Sequence, residues 1–194
     1  MEEITPMSSE RRRTEKKLLQ TKVIRGKGEA DFFLEADFDF SGNPFFKIES
    51  VDTWVDVYDV NVIKGNKVIF NAWVYKNIIY KTSTQVGQID GIVTVNGGIE
   101  HITQRIPLAG YIDIKIKDKE CINPEEDIAE VIDAYVIDDV EENLIPEAIT
   151  NAENQLLIPP LYRYSALHEK MCVKVAVKIV RWEHVEVEVE DQHC

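Results

Sequence analysis

The sequence has no long apolar run and no sign of a secretory leader. No stretch reaches the about eighteen consecutive apolar residues that a membrane-spanning helix needs. The chain starts with Met1-Glu2-Glu3, which is acidic, whereas a signal peptide starts with basic and then apolar residues. We therefore expect synthesis in the cytoplasm, without a signal peptide, and no membrane partner.

Basic residues are also scarce. The chain has 22 Lys and Arg against 35 Asp and Glu, a net charge of -13, which opposes general binding to nucleic acid. The exception is a short run, Arg11-Arg12-Arg13 with Lys16 and Lys17, which lacks the interleaved aromatic residues that stack on bases. We expect residues 1–22 to form a basic arm, with a short helix from Ser8 or Ser9 to about Leu19, docked on an acidic surface of its own chain or of a neighbour.

Cysteine is rare, and the three present cannot all pair within one chain. Free thiols, at least one of them buried, are one interpretation. The alternative is an intermolecular disulfide, because Cys194 lies on a polar tail where its thiol would be accessible to another subunit. The candidate inter-subunit cross-links are Cys194, Cys172 and Cys121.

Recognisable catalytic and metal-binding motifs are missing. The sequence contains no Gly-x-Ser-x-Gly, His-Glu-x-x-His or phosphate-binding loop. His168 lies near Cys172, but the alternating pattern around this cysteine favours a packing position over a nucleophile. His193 and Cys194 have no second pair at zinc-site spacing. We expect a protein that is not an enzyme and that uses neither a metal nor a cofactor.

What the sequence has in abundance is two-residue alternation, shown best by Trp54 to Tyr80. Apolar residues recur at every second position on both sides of Lys64-Gly65-Asn66-Lys67. Period two around a short Gly-Asn turn predicts a β-hairpin.

Residues 23–50 hold six of the seven phenylalanines. Alternation from Leu34 to Phe40 predicts a strand with one aromatic face, ended by Ser41-Gly42-Asn43-Pro44. This strand is either part of the core or an arm that adds to another subunit's sheet.

Further strands follow. Glycines bracket a short strand at Ile92–Val95, and Tyr111–Lys117 alternates with its isoleucines inward. Asp127–Val140 is apolar at both parities, which predicts a central strand buried on both faces, with a short helix as the alternative that periodicity alone leaves open. Residues 141–168 are expected to be a connector with a short helix over 147–157, started by Pro146.

Met171 to Val189 is the longest alternating segment, with no Gly, Pro or Asn to mark a turn. It predicts one strand of roughly 60 Å at about 3.3 Å per residue, which either bends at a bulge near Arg181 or reaches beyond its own domain. Its outward face has lysines first and glutamates later. Two copies paired antiparallel around Val180 would place Lys174 opposite Glu186, and a neighbouring strand of the same chain suits the same pattern. The candidate assembly contacts are Phe32, Phe33, Phe38, Phe40, Lys174, Lys178, Trp182, Glu186 and Glu188.

Residues 51–137 resemble the SPOCS domain of clostridial spore-coat and spore-surface proteins. The matching segments are VDVYDVNVIKGNKVIFNAWVYKNIIYKT and, after a spacer, HITQRIPLAGYIDI. The resemblance implies self-association or scaffold binding on a developing spore, with synthesis in the mother cell, and it carries no catalytic residue. Longer coat-morphogenesis members have a LysM module that this sequence lacks, which favours a repeating subunit over an adaptor.

Together these patterns predict an all-β protein, an antiparallel β-sandwich with Greek-key or jelly-roll-like connections. The expected parts are the arm (1–22), the sandwich core (23–140), the connector (141–168) and a carboxy-terminal strand and tail (169–194). The expected function is a non-enzymatic subunit that polymerises by strand addition, with or without disulfides, into a layer or filament on the spore surface. Its partner is itself, and other coat proteins are further candidates. The alternative is a monomeric module that binds a coat scaffold protein.

Overall fold

The computed structural model describes residues 14–116 and 121–190. In these residues strands and turns account for all regular structure. No helix that is long and apolar enough to cross a membrane is found among them. The strands are β1 (Thr14–Asp39), β2 (Phe45–Ile63), β3 (Lys67–Thr82), β4 (Gln85–Ile89), β5 (Ile92–Asn96), β6 (Ile99–Asp113), β7 (Lys115–Ile116), β8 (Asp127–Ala148) and β9 (Tyr162–Glu190).

The fold is an antiparallel β-sandwich, as predicted. One layer has the order β8-β9-β1 and the other β2-β3-β6, and every ladder is antiparallel. The chain changes layer at two corners. At the first, Phe40 N–H donates to the Ser165 carbonyl at 2.8 Å and Phe45 pairs with Tyr164. At the second, β6 passes into β7, which pairs with Gly26 and Lys27 of β1.

The core lies between the layers and follows from alternation. In β3 every second residue from Val68 to Thr82 is buried, and in β9 the odd positions from Leu167 to Ile179 are 0% or 1% exposed. Fully burying one such Val, Leu or Ile side chain is worth roughly 1.5–3 kcal/mol. The sum of these alternating buried side chains, more than any single contact, therefore stabilises the sandwich.

The predicted hairpin is confirmed as β2 and β3. Their ladder closes at Ile63 opposite Lys67, and Gly65 and Asn66 between them have φ of 85° and 58°. Glycine and asparagine are the residues that adopt this left-handed region at least cost. The predicted strands at Ile92–Val95 and at 111–116 are confirmed, whereas Lys117 lies outside the described residues.

The two helix predictions are wrong within the described residues. Thr14–Leu19 belongs to β1, and the part of the predicted helix that precedes Thr14 lies outside the described residues. Glu147 and Ala148 end β8, and 149–161 contains turns and an isolated bridge, Thr150 to Leu156. Cross-strand pairing overrides the helix signals here, since Glu147 pairs with Arg163 and accepts two hydrogen bonds from its guanidinium at 2.9 and 2.6 Å.

β8 is a strand, as predicted, but it is not buried on both faces. Its only ladder in the described residues is with β9, so it lies at the edge of its layer. The apolar side chains that were expected to be covered on the second face are 43% to 63% exposed: Ile128, Ile132, Ile137 and Val140. Two bulges, at Val131/Asp133 and Val136/Asp138, interrupt the ladder and suit an edge strand.

The long carboxy-terminal strand is confirmed as β9, which runs for 29 residues. It begins at Tyr162, so the predicted connector is shorter than 141–168: residues 141–148 belong to β8 and 162–168 to β9. β1 pairs with it from Ala166 to Glu190 and β8 from Tyr162 to Arg181. Both edges of β9 around Val180 are therefore occupied within the chain. The pairing of two copies centred on Val180 is incompatible with this arrangement, and the alternative of an intramolecular neighbour is the one observed.

Candidate assembly surface and a buried charge cluster

The first and last strands extend beyond the sandwich as a two-stranded ribbon. The last pair of β8 with β9 is Asp127 with Arg181, and beyond it β9 pairs only with β1 among the described residues. We call Thr14–Lys22 together with Trp182–Glu190 the β1–β9 ribbon. Nine residues at about 3.3 Å each give it a length of about 30 Å. Side chains 16–22 are all exposed.

The two faces of the β1–β9 ribbon differ. One continues the inward face of the sandwich and carries Leu19, Val185 and Val187, of which Leu19 is 52% exposed. Lys17, Thr21 and Glu183 lie on the same face. Arg181 and Asp127 mark where the covered core ends: the guanidinium donates to both carboxylate oxygens at 2.8 and 2.9 Å. Burial opposes the charge on Asp127, but the Arg181 hydrogen bonds outweigh it and lower the pKa of the carboxyl. Beyond this ion pair the inward face is therefore a mixture of apolar and charged side chains.

The other face of the ribbon is charged. Lys16 Nζ lies 3.2 Å from Glu186 of the opposite strand, and Lys22 forms an ion pair with Glu130 of β8 and lies over the Trp182 ring at 5.4 Å. The described part of the basic arm therefore docks on acidic residues of its own chain, one of the two surfaces expected for it. Arg11–Arg13 lie outside the described residues.

The predicted phenylalanine contacts divide between core and surface. Phe38 and Phe40 are 1% and 3% exposed, and Phe32 packs edge-on against Phe70 with ring centroids 5.0 Å apart. These three are packing residues of one subunit. Phe33 is 84% exposed on the outer face of β1, opposite Cys172 of β9.

The predicted lysine and cysteine contacts are spread over the outer face of the β8-β9-β1 layer and beyond it. Lys174 lies 3.8 Å from Asp31, and Lys178 lies 3.0 Å from Glu130. Cys172 is half-buried and Cys121 is exposed, and both are free thiols. Cys194 lies outside the described residues. The structure therefore brings Phe33 and Cys172 together, and places Trp182, Glu186 and Glu188 on the β1–β9 ribbon.

A second exposed surface lies on the outer face of the β2-β3-β6 layer. Trp54 stacks on Tyr75 with centroids 5.0 Å apart, and Tyr58 stacks on Trp73 at 5.8 Å. Arg105 lies over the Trp73 ring at 4.2 Å. We call these residues the aromatic row. Cross-strand aromatic pairs stabilise a sheet, and a cation over the ring adds to this, so the row needs no ligand to explain it.

The least expected feature is a charged cluster inside the sandwich. Lys76 of β3 and Glu169 of β9 point into the core and are both 0% exposed, and Lys76 Nζ is in ion-pair contact with Glu169 Oε1. The same ammonium donates to Asp139 of β8 at 2.7 Å and to Glu141 at 3.4 Å. The three carboxylates lie within 4.8 Å of one another, as a divalent cation would require, but the Lys76 ammonium already provides their cation.

The environment of this cluster raises the pKa values of both Lys76 and Glu169. Burial raises the pKa of Glu169 from 4.5 to about 7 against the opposing effect of Lys76, and the Glu141 carboxylate adds to the rise. Burial lowers the pKa of Lys76, but hydrogen bonds and charge from Asp139 and Glu169 outweigh it, so the net shift is upward. The ammonium therefore stays charged, and Glu169 takes up a proton at a higher pH than a carboxyl group ordinarily does.

Comparison with known protein families, characterised proteins and solved structures finds no match. The SPOCS resemblance of residues 51–137 therefore stays a prediction.

Sequence reasoning missed Lys76 and Glu169, although a signal was present. In β3 every second side chain faces the core, and Lys76 occupies one of these positions, followed by Ile78 and Tyr80. In β9 Glu169 occupies a core-facing position between Leu167 and Met171. Two charges of opposite sign, each on the inward parity of an apolar strand, indicate a pair across the core, since an unpaired buried charge is too costly.

We expect the raised pKa of Glu169 to make the protein less stable as the pH rises. The folded state binds this proton more tightly than the unfolded chain, so its contribution is complete below about pH 4.5 and is lost as the pH passes about 7. The free energy of unfolding should fall by up to about 3 kcal/mol over this window. Urea titrations between about pH 5 and pH 8 measure the slope.

Glu169→Gln should flatten that slope, because it removes the titrating carboxyl. Glu35→Gln is the matched control, since Glu35 is exposed on the outer face of β1. An unchanged slope in the Glu169 variant would contradict the assignment.

Proposed function

We propose that this chain is a non-enzymatic structural subunit that assembles with further copies of itself into a filament or layer. The observation that carries the proposal is the β1–β9 ribbon: two paired strands beyond the sandwich, exposed on both faces, with ladder partners on neither outer edge in the described residues. Open strand edges are templates for further strands, and natural sheets usually shorten or cover them. A ribbon of about 30 Å is longer than the sandwich requires.

The composition of the ribbon supports the same proposal. It adds exposed apolar side chains, Leu19 and Val185, to the unpaired backbone groups of its outer edges. Other open edges among the described residues are less suited to pairing, because β2 and β8 are interrupted by bulges and the edge strand β6 contains Pro107, which has no backbone N–H to donate.

The place of assembly is proposed from the SPOCS resemblance of residues 51–137. It points to the surface of a spore, with synthesis in the mother cell and other coat proteins as further partners. Cys194 follows Glu190 by four residues, so a disulfide between subunits would lock the polymer after release into oxidising surroundings.

Negative-stain electron microscopy of the purified protein is expected to show ordered polymers, because the ribbon can add strand to strand. Non-reducing gels should show high-mass species that Cys194→Ser removes, while Cys121→Ser, which changes an exposed free thiol, leaves them in place. A monodisperse monomer at every concentration would overturn assembly. High-mass species that persist in Cys194→Ser would overturn only the disulfide.

The alternative is a monomeric module that binds a coat scaffold protein, and the aromatic row favours it. Exposed Trp, Tyr and Arg side chains are enriched at protein interfaces. In that case Trp54→Ala and Tyr58→Ala would abolish capture of the scaffold by a monomer, and no polymers would form.

A further inference from the structure

The two outer edges of the β1–β9 ribbon carry opposite charge. The β1 part of the ribbon, Thr14–Lys22, contains three lysines and one glutamate, whereas Trp182–Glu190 of β9 contains four glutamates and no lysine or arginine. Antiparallel pairing holds the two strands side by side, so Lys16, Lys17 and Lys22 lie along one edge of the ribbon and Glu183, Glu186 and Glu188 along the other. The ion pair between Lys16 and Glu186 shows that these side chains reach across one strand spacing.

This separation of charge discriminates between the ways in which two ribbons can meet. A two-fold dimer joined edge to edge pairs β1 with β1 or β9 with β9. The first brings lysines to lysines and the second glutamates to glutamates, and like charges opposite each other destabilise a ladder. Pairing the β1 edge of one copy with the β9 edge of the next places lysines beside glutamates.

We propose that copies of this chain join head to tail, the lysine-bearing β1 edge of one ribbon pairing with the glutamate-bearing β9 edge of the next. The proposal rests on the proposed function and specifies its contact. A head-to-tail contact leaves one edge free at each end, so it builds open filaments or rings and not a two-fold dimer. Each copy adds two strands, and the sheet twist of about 20–25° per strand turns each sandwich away from the one before.

A charge-reversed ribbon tests the contact. The variant Lys16→Glu, Lys17→Glu, Glu186→Lys, Glu188→Lys keeps opposite charges within one ribbon, and circular dichroism verifies that the sheet is retained. Alone, it should polymerise like the wild type, because its own edges are still complementary. Mixed with tagged wild type under reducing conditions, it should co-purify about tenfold less than untagged wild type does, because both mixed contacts now oppose like charges.

The outcomes separate the two proposals. Preferential mixing of the variant with the wild type would overturn the head-to-tail contact, since that is the result of pairing β1 with β1 or β9 with β9. Equal mixing would overturn it as well, because charge would then not select the partner. Absence of polymers in the wild type would overturn the proposed function itself.

A milder variant keeps the test decisive if the charge-reversed chain does not fold. Glu186→Gln with Glu188→Gln should raise the protein concentration needed for assembly about tenfold, because the lysine edge of the neighbour loses its partners. A lower threshold would indicate that glutamate edges repel each other in the wild-type contact, and would overturn the head-to-tail arrangement.

Discussion

Replacing Lys76 by methionine is expected to lower the free energy of unfolding by about 3–5 kcal/mol. Methionine fills most of the same volume, so the loss comes from charge. It leaves Glu169, which is 0% exposed, without its cation, and Asp139 and Glu141 without a shared donor. Equilibrium unfolding in urea at about pH 8, where Glu169 is ionised, measures the loss.

Two further variants identify the origin of that loss. Lys81→Met removes a lysine from the same strand whose partner, Glu49, is partly exposed, and should cost no more than about 1 kcal/mol. Lys76→Met combined with Glu169→Leu should recover most of the stability, because an apolar pair of similar volume often replaces a buried ion pair without penalty. A double variant as unstable as the single one would show that packing, and not charge, accounts for the effect.

Phe38→Ala is expected to destabilise the protein by about 3–5 kcal/mol, the usual result of truncating a buried phenylalanine. Phe38 is 1% exposed and lies between the layers, so alanine leaves a cavity that neighbouring β-branched residues cannot fill. Phe33→Ala is a matched control on the same strand: at 84% exposure it should change stability by about 0.5 kcal/mol or less. Thermal and urea unfolding of both variants provide the comparison.

The same pair of variants separates folding from assembly. If Phe33 contributes to contacts between copies, Phe33→Ala changes polymer yield while leaving the unfolding midpoint in place. A large loss of stability from Phe33→Ala, or none from Phe38→Ala, would contradict the assignment of these side chains to surface and core.

The elements that could be predicted well from the sequence are those whose residue pattern and pairing partner lie close together in the chain. The β2–β3 hairpin needs only two alternating runs and the Gly65-Asn66 turn, all within a short stretch of chain. β9 was predicted as one strand because its alternation is uninterrupted. The core positions followed from the same parity.

The elements that sequence predicted poorly depend on distant partners. β8 has apolar residues on both faces, but the pattern does not show whether another layer covers the second face. In the structure no layer packs against that face, and its apolar side chains are exposed. The ribbon was missed because Thr14 pairs with Glu190, at the far end of the described chain. The Lys76 cluster combines β3, β8 and β9, so the local pattern around each residue shows only a misplaced charge.

The pairing of the first strand with the last also sets the order of events during synthesis. β9 is the central strand of its layer, so β1 and β8 have no ladder between them until β9 leaves the ribosome. Folds dominated by such distant pairs form slowly. The β1–β9 ribbon therefore forms late, after every other strand of the described chain has been made. Until then β1 has only the two-residue strand β7 as a ladder partner among the described residues, and unpaired strand edges of this kind make incompletely folded chains prone to aggregation.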